Sequence, residues 1–278
     1  MRRTNLRKKK RVMIQESNKK SLKILFALTT IIILALIVYV FFIQNILIKN
    51  NFEKDNIEIA SLNENIPFSI KKIILFSSAT ANAENVNQSL LNLDISQYCD
   101  IGIYLNNSDI DNNIIQALYI DNISISTPEL GSPCLYMKRV TDLGKCSFDE
   151  KNIINQKLDF NIIDINSDIN YDNLEMYSNA STPISIGFYN RDVKKDYLTD
   201  LKEIIYNGTL LKKAAIPVKS LECNVSFTIN IITTSNEHYI CNISFDVPLQ
   251  DGEGSIADTG YATMEINTAN SYKFLRIK

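Results

Sequence analysis

The sequence contains no tryptophan and a single histidine, His238. Zinc chemistry resting on two or three imidazoles is therefore excluded. A Ser-His-Asp or Cys-His mechanism would have to pass through His238. That residue sits beside a predicted hairpin turn, the place of an ordinary surface histidine. Glycine (8) and proline (6) are scarce. Neither G-x-x-x-x-G-K-[ST] nor G-x-G-x-x-G occurs, so no backbone cradle for nucleotide phosphates is encoded. C-x-x-C is also absent, which removes support for a redox dithiol or a zinc ribbon. Ser69-Ile70-Lys71-Lys72 matches S-x-x-K, but it lies on a predicted strand and lacks its S-D-N and K-T-G companions.

The most consequential absence is of charge. No charged residue occurs from Ile24 to Ile43, ILFALTTIIILALIVYVFFI. A helix of about 20 residues spans about 30 Å, the thickness of a bilayer's hydrocarbon core. The sequence therefore predicts a transmembrane helix over 24–43. Residues 1–23 carry ten basic side chains and one acidic one, Glu16. Residues 24–278 then hold 19 basic and 30 acidic residues, a net of −11 hidden by the chain's overall −2. The positive-inside rule places 1–23 in the cytoplasm and the rest outside it. The apolar run is longer than a signal-peptide core and is followed by FFIQNILIKN, with no small-residue cleavage site. An uncleaved anchor is expected, contacting membrane lipid through residues 24–43. The acidic remainder disfavours nucleic acid.

Residues 44–66 read as a polar stalk, and 67–278 as an extracytoplasmic β-rich domain. Period-2 alternation dominates there. Phe68, Ile70 and Lys71–Phe76 begin one strand. Cys99, Ile101, Ile103 and Leu105 line one face of another, with Asp100, Gly102 and Tyr104 opposite. Leu118 and Ile120, then Ile123 and Ile125, mark a third. Ile184, Ile186 and Phe188 mark a fourth. The clearest pair is a hairpin: Cys223, Val225, Phe227, Ile229 and Ile231, a turn at Ser235-Asn236-Glu237, and a return through Tyr239, Cys241, Ile243, Phe245 and Val247. Tyr261–Ile266 and Tyr272–Ile277 supply final strands. One amphipathic helix is expected, because Val193, Tyr197, Leu201, Ile204 and Ile205 fall at helical spacing between Asp192 and Gly208. The expected fold is mainly β: a β-sandwich-like domain with one amphipathic helix, behind an N-terminal transmembrane helix.

All five cysteines, Cys99, Cys134, Cys146, Cys223 and Cys241, fall outside the apolar run. An extracytoplasmic location permits disulfides, and the odd count leaves one thiol free or paired between chains. Cys134 and Cys146 flank an irregular stretch containing Gly144 and are the preferred pair. Cys99, Cys223 and Cys241 lie on apolar strand faces, where a thiol acts as a small hydrophobe.

One constellation points toward a metal. Asp164, Asn166, Asp168, Asp172 and Glu175 place oxygen ligands at loop positions 1, 3, 5, 9 and 12. This spacing resembles the EF-hand calcium loop, which surrounds a hard cation with hard oxygens. The likeness covers 12 residues, and Ile169 stands where that loop needs glycine. A calcium ion is the only cofactor the sequence suggests. A second acidic segment holds Asp251, Glu253 and Asp258, and its glycines mark a turn. Seven N-x-[ST] sequons occur, at Asn87, Asn106, Asn122, Asn179, Asn207, Asn224 and Asn242, in an asparagine-rich chain where several arise by frequency alone.

The sequence thus favours a membrane-anchored, non-enzymatic interaction or structural protein of the cell envelope. Its expected partner is another envelope protein or a second copy of itself. The alternative is an extracellular glycan-binding module or hydrolase using calcium.

Overall fold

The computed structural model describes residues 66–200, 204–250, 254–267 and 272–277. The basic segment 1–23, the apolar segment 24–43, and the stalk up to residue 65 lie outside the described residues. Among the described residues no helix is long and apolar enough to cross a membrane.

The protein is mainly β, as the alternation predicts. Its strands in chain order are β1 (Phe68–Asn85), β2 (Leu90–Asn107), β3 (Ile115–Ile125), β4 (Ser132–Met137), β5 (Leu158–Ile163), β6 (Glu175–Tyr177), β7 (Ile184–Asp200), β8 (Asn224–Thr233), β9 (His238–Asp246), β10 (Tyr261–Asn267) and β11 (Leu275–Ile277). Among the described residues two short α-helices, α1 (Thr209–Lys213) and α2 (Ile256–Thr259), follow β7 and precede β10. One sheet has five strands in the order β10-β1-β2-β7-β4, and the other has six, β11-β9-β8-β3-β5-β6. All pairings are antiparallel except β5 with β6.

The two sheets share one core, because alternate residues of each turn inward. Ile73, Leu75, Cys99, Ile101, Ile103, Ile186 and Phe188 come from the five-stranded sheet. Leu118, Ile120, Phe227, Ile229, Ile231, Cys241 and Ile243 come from the other. The hairpin has the expected turn: Ile231 faces Tyr239 and Ile229 faces Cys241, with Asn236 at φ 62°. Parity changes along two strands mark bulges. The step from Ile70 to Lys72 breaks the β1–β2 register, and the step from Asp121 to Ser124 breaks β3–β8, with Asn122 at φ 51°.

The expected amphipathic helix is corrected. Residues 193–200 continue β7, and Leu91, Leu93 and Ile95 of β2 pair with Thr199, Tyr197 and Lys194. Two residues of β2 from Leu93 to Ile95 match three of β7, and two from Ile95 to Gln97 match four. Asp192 and Asp196 take left-handed φ values of 57° and 54° at these irregularities. Each bulge inserts extra residues on β7, which stretches the period of two toward the spacing of a helix. The same far ends of β1, β2 and β7 pass beyond the main core. Their Ala79, Leu93, Ile95 and Val193 form a second core with Leu210, Leu211 and Ile256 from α1 and α2.

Candidate functional site

The inward turn of Cys99 and Ile101 forces Tyr98 and Asp100 onto the outer face of the five-stranded sheet. Solvent would be expected there. Instead the chain after β4 folds back over this face as a strap. Its ends are tied to β4: Ile154 N–H donates to Leu135 O at 2.9 Å, and Ile153 bridges Tyr136. Lys138 enters beneath the strap and forms an ion pair with Asp100, the side chains being 0% and 2% exposed. Lys138 Nζ also donates to Lys145 O at 2.5 Å and to the Tyr136 hydroxyl at 3.4 Å. It lies 5.7 Å from the ring centre of Tyr136 and 6.0 Å from that of Tyr98. Gly144 N–H donates to Asp100 Oδ2 at 2.5 Å, and the φ of +87° that aims it there suits a glycine. Asp100 Oδ1 lies against Nζ and has no other hydrogen-bond partner.

Aromatic rings seal the pair. Tyr98, Tyr136 and Tyr189 form a buried cluster, flanked by Phe76, Cys134, Cys146 and Phe148. Phe148 stacks on Tyr189 at 4.0 Å and 8°, and meets Tyr136 edge-on at 5.5 Å. Tyr136 lies flat over Gly187, its partner across β4–β7, where a Cβ would overlap the ring. Burial dominates the acid–base chemistry of this cluster. It raises the Asp100 carboxyl above the usual carboxylate range, against the opposing pull of Lys138 and the N–H groups of Gly144 and Lys145. It pushes the Tyr98 phenol up to about 12 and raises Tyr136 and the Cys146 thiol as well. Phenols and thiols shifted this way are protonated and weakly nucleophilic.

A groove of about 640 Å³ opens beside the strap. Asp94, Asp149, Glu150 and Asp192 line it together with Arg191 and the Phe148–Tyr189 stack. Arg191 reaches Glu150 at 3.5 Å, while its Nε is buried without a hydrogen-bond partner.

The residues predicted to hold calcium lie on another loop, where Asp164, Asp172 and Glu175 have other partners. Asp164 Oδ1 accepts from the backbone and side chain of Asn166 at 2.8 and 2.9 Å. Asp172 pairs with Arg139 at 2.6 Å, and Arg139 also binds Asp142. Glu175 Oε2 accepts from Asn170 N–H at 2.6 Å. Strands β5 and β6 flank the segment, where an EF-hand has helices. Among the described residues no three histidine, cysteine or acidic side chains are grouped to hold a metal. Asp251 and Glu253 lie outside the described residues, and Asp258 pairs with Lys212 at 2.5 Å.

All five cysteines are free thiols in the structure. Cys134 and Cys146 border the same tyrosine cluster without being bonded, and Cys134 Sγ donates to Tyr189 O at 3.5 Å. His238 Nε2 contacts Asn230 Oδ1 at 3.0 Å, so its partner is an amide and not a hydroxyl or thiol nucleophile.

Sequence reasoning placed Asp100 on a polar face and Lys138 in an irregular stretch, and missed their meeting. Comparison with protein families, with characterised proteins and with solved structures finds no match for this chain.

Proposed function

We propose that this chain is a single-pass membrane protein whose extracytoplasmic domain serves a non-enzymatic, structural or interaction role in the cell envelope. The observation that carries the reading is the uncharged segment 24–43 behind ten basic residues. The nature of the buried polar cluster supports the non-enzymatic part. Its charges neutralise each other under the strap, and burial raises the thiols and phenols around them. Such a cluster stiffens a fold, and its phenols and thiols stay protonated. A tether would hold the domain at high effective concentration near membrane partners, either another envelope protein or a second copy.

Topology is the first test. An N-terminal epitope tag protected from protease in intact cells, with the C-terminal domain digested, supports the reading. A chain recovered wholly from the soluble cytosolic fraction overturns it. In-cell cross-linking of the full-length protein then identifies its neighbours.

The groove beside the strap favours a second reading, glycan binding. Its carboxylates and Arg191 offer hydrogen bonds to sugar hydroxyls beside an aromatic face. That reading predicts saturable binding to an immobilised glycan, weakened by Arg191→Ala.

A further inference from the structure

We propose that Lys138 and Asp100 condense into an intramolecular amide, a covalent staple between β2 and the strap that follows β4. The juxtaposition carries the inference. The two side chains are sealed together at 0% and 2% exposure, Nζ against Oδ1, and Oδ1 has no other hydrogen-bond partner. An ordinary buried ion pair is held by directed hydrogen bonds on both oxygens. Here Gly144 N–H holds Oδ2, and Oδ1 faces Nζ.

The reaction balances without any co-reactant. One proton passes from the Nζ ammonium to Oδ1, leaving an amine against a carboxylic acid. The Nζ lone pair attacks Cγ and forms the C–N bond. The Cγ–Oδ1 bond breaks with its electrons on oxygen, and a second Nζ proton leaves with that oxygen as water. Nζ keeps its third proton, and the product is a secondary amide.

Each neighbour has a part. Gly144 N–H points at Oδ2, the oxygen that carries negative charge when Nζ adds, and acts as an oxyanion donor. The Lys145 carbonyl accepts one Nζ proton and fixes the direction of the lone pair. The aromatic walls exclude bulk water, which favours the neutral pair over the ionic one. The raised carboxyl of Asp100 is consistent with that exchange. Fixed contact replaces the improbable encounter that makes this condensation slow in solution. The product would brace the sheet without a disulfide, in a structure whose five cysteines are free.

The test is the intact mass of the full-length chain purified in detergent, followed by tandem mass spectrometry of its peptides. The expected result is a chain one water lighter than its sequence mass, with a branched peptide joining Asp100 to Lys138. Asp100→Ala and Lys138→Arg chains should both show the full mass. A wild-type chain at full sequence mass overturns the proposal. So does a water loss that maps to Asp251-Gly252, where a succinimide forms by backbone attack. The wild-type measurement stands even if either variant fails to fold.

Discussion

Replacing Gly187 with alanine tests whether the outer face of the five-stranded sheet is as tightly sealed as the structure indicates. By backbone preference alone the change should help, since glycine inside a strand costs about 0.5–1 kcal/mol relative to alanine. The φ at Gly187 is not in the left-handed region, so no backbone strain opposes alanine there. The opposition is steric. The new Cβ would overlap Cε1 and Cζ of Tyr136. That ring is fully buried and cannot swing aside freely, because Phe148 meets it edge-on at 5.5 Å and Tyr189 at 6.5 Å. Its hydroxyl is also tied to Lys138. Overpacking of this kind costs about 1–3 kcal/mol, and here displacement would also loosen the ion pair. The upper part of that range outweighs the backbone gain, leaving a net loss of about 2 kcal/mol. For a domain of this size the melting temperature should fall by about 4–8 °C. Thermal and urea denaturation of the fragment 66–278 measures it. The double variant Gly187→Ala, Tyr136→Leu should lose less than the sum of the single changes, by about 1 kcal/mol or more. A Gly187→Ala protein as stable as the parent, or more stable, would refute the packing argument.

Four further outcomes follow from the structure. Millimolar calcium should leave the melting temperature unchanged, because Asp172 is held by Arg139 and Glu175 by Asn170; a rise would restore the calcium loop. Asp172→Asn should cost no more than about 1 kcal/mol, as exposed ion pairs do, since Arg139 keeps Asp142. Burial lowers His238 below its ordinary value of 6.5, with Asp121 opposing weakly. The unfolded chain therefore takes up this proton first as the pH falls. The stability tied to neutral His238 is complete above pH 6.5 and drains away below it, toward the lower folded value. A His238→Gln protein should show a flatter stability profile over that window; identical profiles would refute the assignment. Thiol titration without reductant should find five reactive cysteines in denaturant. In the native state Cys99 and Cys241 should be protected, since they are 0% and 1% exposed and burial pushes Cys241 up to about 12. A count of three in denaturant would instead reveal a disulfide, which peptide mapping would assign to Cys134–Cys146 or another pair.

Much of this molecule is legible in local pattern, because a sheet buried on one face writes its period of two directly into the chain. The β8–β9 hairpin, its turn at Asn236 and the inward faces of β2 and β7 all follow from alternation. Even the bulges at Lys71 and Asn122 show as changes of parity. Where two bulges fall close together the same logic misleads. Asp192 and Asp196 stretch the spacing of Val193 and Tyr197 to that of a helix, and only pairing with Leu93 and Ile95 shows them to be strand. In the calcium pattern, too, Asp172 has a partner that spacing does not show. Spacing along the chain supplies candidate oxygens, but Arg139, contributed from a distant segment, decides what Asp172 binds. Asp100 and Lys138 are the extreme case. Alternation puts Asp100 on the polar face of β2, and nothing near it in sequence indicates burial. Its environment is made by a strap arriving after β4, carrying Lys138, Gly144 and Phe148. Periodicity records which way a side chain points; what covers it there is decided by contacts between segments far apart in the chain.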